Sequence, residues 1–269
     1  MPLSASPLLE AKAFDAPSVF RPENLLREAR RQGNLAAGAV PDVCVLDPDG
    51  DLVRHLIATQ SAQRCPAWAC YHTDMYLFEA AGIRFGVVGR AVGASFAVLV
   101  AEQMFASGCK LLLSITSSGQ ITDAGPTPYF ILIDRALRDE GTSHHYLPPG
   151  AFAAADPVLL RTVMSGLSAP GIDPMAPRVI EGTTWTTDAP YRETEAAIAA
   201  ARARGALAVE MEAAALYAFA IARDCPVLCF AHVTNQMAQV EGDFEKGEAG
   251  GARDALALLV ASVAAWKGG

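Results

Sequence analysis

The chain has 269 residues, a formal net charge of −8, 52% hydrophobic residues and 19% charged ones. That length suffices for one large domain with a sizeable core, and that composition excludes a disordered chain. With acid in excess and no cluster of Lys and Arg, the sequence carries no electrostatic footprint for a phosphate backbone, which excludes nucleic acid as a partner.

Residues 1–40 read as an N-terminal helical extension, in which Pro22 precedes a charged stretch, Glu23–Arg31, predicted to be a helix with a solvated face. The same segment is placed to cover a neighbouring subunit. Its first residues lack a basic start followed by an apolar run, and the longest apolar stretch, Ala91–Ala101, is too short to span a bilayer. The expectation is a cytoplasmic protein with no membrane contact.

Strand-like apolar runs fall at Val43–Leu46, Phe85–Val88, Leu111–Ile115, Tyr129–Ile133 and Val227–Val233. They alternate with segments of helical period at Ala94–Ala106, Pro157–Leu167, Tyr191–Ala203, Glu212–Arg223 and Ala252–Trp266. Asp156 before Pro157 is a helix start, an N-cap followed by Pro at the first helical position. This alternation predicts an α/β fold. Loops rich in Gly and Pro at Thr122–Pro128, Leu147–Gly150 and Ala169–Pro177 are too short for interdomain linkers, so 1–269 reads as a single domain.

Cys44, Cys65, Cys70, Cys109, Cys225 and Cys229 show no paired spacing, and several lie in apolar runs, which predicts reduced core thiols. Cys225 and Cys229 have only the solitary His232 nearby, so no metal site is expected.

The most informative segment runs from Val209 to Ala220, VEMEAAALYAFA, where Glu210 and Glu212 flank Met211 between a short strand and a helix. Acids at a helix N-terminus are stabilised by its dipole, so charge capping is one reading and a binding site the other. The run closely resembles the signature of family-one nucleoside phosphorylases, which include bacterial purine nucleoside phosphorylase and uridine phosphorylase. The resemblance implies that Glu212 binds ribose hydroxyls, Met211 packs on the sugar and Glu210 supports that ribose-binding site. A carboxylate on sugar hydroxyls fixes the ring and stabilises an oxocarbenium-like transition state.

Other segments extend the resemblance over roughly residues 40–260. Thr184–Glu193 is similar to the family's segment that carries an aromatic over the base, which assigns base stacking to Tyr191 and Trp185; a stacked base is stabilised by about 1–3 kcal/mol. Buried Trp and Tyr are more often core residues. Thr194 and Ala196 stand where uridine phosphorylases carry the Gln and Arg that read uracil. Asp47–Arg54 resembles the family's Gly-Asp-Pro-x-Arg phosphate loop, with Leu52 for the Pro, and places Gly50 and Arg54 on phosphate. Phe85–Ser95 is similar to the Gly-rich turn before the family's first long helix, and its spacing does not fit a dinucleotide fingerprint.

Ser114-Ile115-Thr116-Ser117-Ser118-Gly119 aligns with the family's Arg-x-Gly-Thr/Ser-x-Gly. Ser117 keeps the phosphate-binding hydroxyl, but Ser114 replaces the Arg, and a hydroxyl supplies neither the charge nor the bidentate grip of a guanidinium. Arg64, Arg84 and Arg90 are the candidates to compensate. His232-Val233-Thr234-Asn235 stands where purine enzymes of the family have Val-Ser-Asp, so Asn235 is expected to hydrogen-bond a departing base without protonating it. His144 and His145 lie in a stretch similar to a loop beside the family's site.

The resemblance implies a three-layer αβα fold with a central mixed, twisted β-sheet and a homo-oligomer, a dimer or trimer of dimers. The implied enzyme is a nucleoside phosphorylase of the pentosyltransferase type. It would take a small-molecule nucleoside with phosphate as co-substrate and no cofactor, giving ribose 1-phosphate and free base. Glu212 and Asn235 would be its catalytic residues. Loss of the Arg leaves two alternatives open: hydrolysis, as in the family's nucleosidases, and nucleoside binding with weak turnover.

Overall fold

The apolar runs form strands of one ten-stranded mixed sheet flanked by helices, in the computed structural model, which describes residues 6–10, 12–169, 176–237 and 241–268. In chain order the elements are α1 (Pro22–Gly33), β1 (Val43–Asp47), α2 (Asp51–Ala58), β2 (Ala62–Arg64), β3 (Tyr76–Ala80), β4 (Ile83–Gly89), α3 (Ala94–Ala106) and β5 (Leu111–Gln120). There follow β6 (Tyr129–Asp139), β7 (Phe152–Ala154), α4 (Pro157–Leu167), β8 (Val179–Thr187), α5 (Glu195–Ala203), β9 (Ala206–Glu210), α6 (Ala213–Arg223), β10 (Val227–Asn235) and α7 (Ala252–Gly268). The predicted α/β class and central mixed sheet are what the chain adopts.

Every residue of β1 and of β10 is buried, as expected for strands covered on both faces. The parallel strands β4, β1, β5 and β10 lie side by side, with Val45 opposite Val87 and Leu113, and Leu113 opposite Leu228. Beyond them β10 pairs with β6, β6 with β8 and β8 with β9. β9 then returns antiparallel to β5, Val209 opposite Gly119 and Ala208 opposite Gln120. The strands β5, β10, β6, β8 and β9 therefore close a ring, and β1, β4, β3 and β2 extend from it as an open sheet. That closure is an addition to the simple layered sheet implied by the sequence.

Helix α6 buries seven consecutive residues, Ala213–Phe219, so it is apolar all round and lies inside the fold. The Tyr217 hydroxyl donates to the Ile133 carbonyl at 2.6 Å and accepts from the Cys229 amide at 3.1 Å, tying α6 to β6 and β10. Asp156 caps α4 as predicted, accepting from the Val158 and Leu159 amides. Helix α1 matches the predicted charged segment, and its Leu26 and Ala29 pack with Ala69.

Two elements differ from the sequence expectation. The helix expected from Tyr191 starts at Glu195, because Pro190–Arg192 forms its own 3₁₀ turn and Thr194 caps α5 by accepting from the Ala197 amide at 3.2 Å. The segment read as a phosphate loop enters a helix, α2, that begins at Asp51, so Arg54 is helical. Helix Glu248–Gly268, including the turn before α7, is long and apolar enough to cross a bilayer by length and composition. Within this fold its stripe Ala252, Ala255, Leu258, Leu259 and Val263 is buried, and Ala265 abuts Gly166 of α4. The six cysteines carry free thiols. Residues 170–175 of the predicted loop Ala169–Pro177 lie outside the described residues.

Candidate active site

Because β1, β4, β5 and β10 run parallel, their carboxyl ends share one edge, where ligands of open α/β sheets collect. Asp47 ends β1, Gly89 ends β4, Ser117–Gly119 lie late in β5 and Asn235 ends β10. The β9–α6 junction brings Glu210, Met211 and Glu212 to the same place.

Glu210 is fully buried in this junction and answered on both oxygens. Its Oε2 accepts from the amides of Glu212 and Ala213, each at 2.7 Å, and its Oε1 accepts from the hydroxyls of Thr184, at 3.1 Å, and Thr186. Burial raises its pKa, and these donors act against the rise. The carboxylate thus caps α6 and orients the next two residues, a supporting role, with every contact made inside the protein.

Glu212 is the N-cap residue of α6 and is 1% exposed. Its Oε1 accepts from the Gly93 amide at 2.7 Å, the Thr116 hydroxyl lies beside the carboxyl group, and Oε2 has no hydrogen-bond partner among the described residues. Gly93 has φ +90°, a conformation that only glycine adopts without steric strain, and its amide points to the acid. Burial pushes Glu212 up to about 8, with the Glu210 charge adding to the rise. A buried carboxyl with one unanswered oxygen is arranged to receive donors such as the hydroxyls of a sugar. Met211 is half-buried next to it.

Asn235 is buried; its Nδ2 donates to the Thr234 hydroxyl at 3.0 Å and its Oδ1 accepts from the Met237 amide at 2.9 Å. The Met237 sulfur packs over Gly119, 2.7 Å from where a Cβ would stand, so a side chain at 119 would displace it.

On the other side of Ser117 the surroundings are acidic. Asp49 Oδ2 accepts from the Ser117 amide at 2.8 Å. Asp47 accepts from the Val53 amide at 2.9 Å and the Gly50 amide at 3.2 Å, and burial pushes it up to about 7. Asp51 holds Lys246 and Arg54, each at 2.5 Å, and Lys246 lies 3.7 Å from Asp49. His232 lines the same pocket, stacked on Phe130 at 4.4 Å, and its Nε2 has no hydrogen-bond partner among the described residues; burial and Lys246 push it down to about 4.

A family model described as the phosphorylase superfamily matches the chain over residues 42–264. The chain belongs to the phosphorylase superfamily. Its fold is similar to uridine phosphorylase from Vibrio fischeri ES114, at 20% identity and TM-score 0.67, covering 85% of this chain and 93% of that one. It is also similar to purine nucleoside phosphorylase from Toxoplasma gondii in complex with immucillin-H, at 15% identity and TM-score 0.70, covering 85% and 92%. At these identities the likeness shows the fold. No curated protein matches the sequence.

Within this superfamily member, Glu210, Met211 and Glu212 follow Val209, which pairs with Gly119 two residues after Ser117, and Asn235 also stands opposite Gly119. Of the phosphate candidates, Gly50 adopts a left-handed φ of +75° under the Arg90 side chain, while Arg54 points outward, 60% exposed, to Asp51. Among the possible substitutes for the missing Arg, Arg64 pairs with Asp74 at 2.6 Å, Arg84 stands opposite Glu79 on β3, and Arg90 alone lies over the Gly50 turn. Ser114 is buried, and its hydroxyl has no partner among the described residues.

The two base-stacking candidates are far apart in environment. Trp185 is buried in a second small core with Ile121, Leu137, Ala201, Ala206 and Val209, and its indole donates to Asp139 at 3.0 Å. Tyr191 is 99% exposed. His144 packs beside Arg138, and its carbonyl accepts from Lys12 at 3.1 Å. A roomier cleft of about 600 Å³ lies between α4, α6 and α7, lined by Val158, Ile221 and Trp266, and holds none of these residues. Sequence reasoning missed Gly93, Asp49 and Lys246. A glycine's amide and a lone Lys in a polar stretch carry no spacing signal, and Asp49 was legible only as part of a turn.

Proposed function

We propose that this chain cleaves the N-glycosidic bond of a nucleoside, transferring the pentosyl group to a small acceptor. The observation that carries this reading is Glu212, buried at the meeting point of the strand ends with Oε2 unanswered. Sugar hydroxyls donating to that oxygen hold the ring where positive charge develops as the bond breaks. Met211 provides an apolar wall, and the Asn235 amide hydrogen-bonds the departing base, which leaves as an anion. The names of the similar structures, a uridine and a purine nucleoside phosphorylase, support a nucleoside as the substrate.

Phosphate as the acceptor, giving ribose 1-phosphate, is supported by superfamily membership and by the Gly50 turn with Arg90 above it. Water as the acceptor is supported by the carboxylate on the Ser117 amide. Incubating the protein with purine and pyrimidine nucleosides and following free base tests the cleavage itself. Release of base supports the reading, and nucleoside binding without release reduces the chain to a binding protein.

A further inference from the structure

The place expected to receive phosphate is occupied by the chain's own carboxylate. The backbone amide of Ser117, the residue whose hydroxyl the motif assigns to the anion, donates to Asp49 at 2.8 Å. Asp47, Asp49 and Asp51 all line the pocket beside it; Lys246 and Arg54 are already paired with Asp51, and Arg90 lies over the Gly50 turn outside the pocket's lining. Ser114 brings no charge where the family has Arg. The free interior of this pocket is about 20 Å³, room for about one water molecule. His232 lines it with a buried, unpartnered ring nitrogen, a polar group suited to a water rather than to a dianion beside three acids.

We propose that Asp49 determines acceptor specificity, acting as an internal anion that excludes phosphate and leaves water as the nucleophile. This rests on the glycosidic-cleavage reading for the identity of the reaction, but the exclusion of phosphate stands by itself. In the reaction the water oxygen bonds to the anomeric carbon as the carbon–nitrogen bond breaks, and that electron pair leaves with the base. The water's proton passes to the Asp49 carboxylate and then, through solvent, to the released base, so that free pentose and base form with one water consumed.

The test compares wild type with Asp49→Ala, using inorganic phosphate as the probe. Thermal unfolding is followed with and without phosphate, because a ligand of the folded state raises the melting temperature. Wild type is expected to be indifferent to phosphate and Asp49→Ala to bind it at least about tenfold more tightly, with Asp49→Ser as a second variant should the first fail to fold. Equal behaviour, whether both respond or neither does, overturns the inference. With a cleaved nucleoside in heavy-oxygen water, wild type is expected to place the label on free pentose. Pentose 1-phosphate as the wild-type product overturns it too. Absence of base release from every nucleoside, with the phosphate arm as expected, instead strikes the cleavage reading.

Discussion

Glu210 holds Glu212 in place: one oxygen of the first carboxylate accepts the backbone amide of the second at 2.7 Å and that of Ala213 at the same distance. Two acids one residue apart thus divide their work, the first satisfied inside the fold and the second left with an open oxygen. Glu210→Ala removes the acceptor for two amides and two hydroxyls. We expect a loss of about 2–4 kcal/mol in urea unfolding, and loss of activity in the molecules that remain folded. A variant as stable as wild type would mean that the junction is held by packing alone.

Glu212 links stability to pH in a definite direction. Burial raises its folded pKa to about 8 from the ordinary carboxyl value of 4.5. The folded protein therefore keeps a proton that the unfolded chain releases, and stability falls as pH rises between these values. Glu212→Gln removes the penalty, so its stability advantage over wild type is expected to grow from about pH 4.5 to about pH 8 and then level off. Melting temperatures across that range check it, and a constant difference would contradict it.

The two aromatic candidates separate by stability. Trp185→Ala empties a site in the second core and leaves Asp139 without its indole donor, for an expected loss of about 3–5 kcal/mol. Tyr191→Ala, at a residue 99% exposed, is expected to stay within about 0.5 kcal/mol of wild type. Denaturant midpoints for the pair decide the matter, and a Tyr191 variant as unstable as the Trp185 one would show that the tyrosine packs in the assembled protein.

Asn235→Ala tests the proposed leaving-group contact. Loss of one positioned donor is expected to lower kcat by about 100-fold, with folding kept. A change confined to KM would move Asn235 from the reaction to simple binding.

The sequence shows the β9–α6 junction, the parallel strands and most helices because their signals are local: apolar period, an N-cap, Pro at a helix start. It does not show that β9 folds back onto β5, since ring closure depends on pairing between Val209 and Gly119, far apart along the chain. For the same reason Glu212 was legible as a site residue but its Gly93 donor was not. Lys246 meets Asp51 across 195 residues of chain, and the aspartate turn at Asp47–Asp51 reads as an ordinary surface turn until Ser117 is found on Asp49. Helix α2 was missed because Asp, Gly and Pro ahead of it mark a turn and the helix itself is short.

The central claim is that Glu212 makes this chain a nucleoside-cleaving enzyme. Its most direct test is free-base release by wild type and by Glu212→Gln, across purine and pyrimidine nucleosides, with both proteins shown to be folded. The account predicts release by wild type from at least one nucleoside and a loss of about 100-fold or more in the variant. Equal rates in the two proteins, or no release by wild type from any nucleoside, would contradict it.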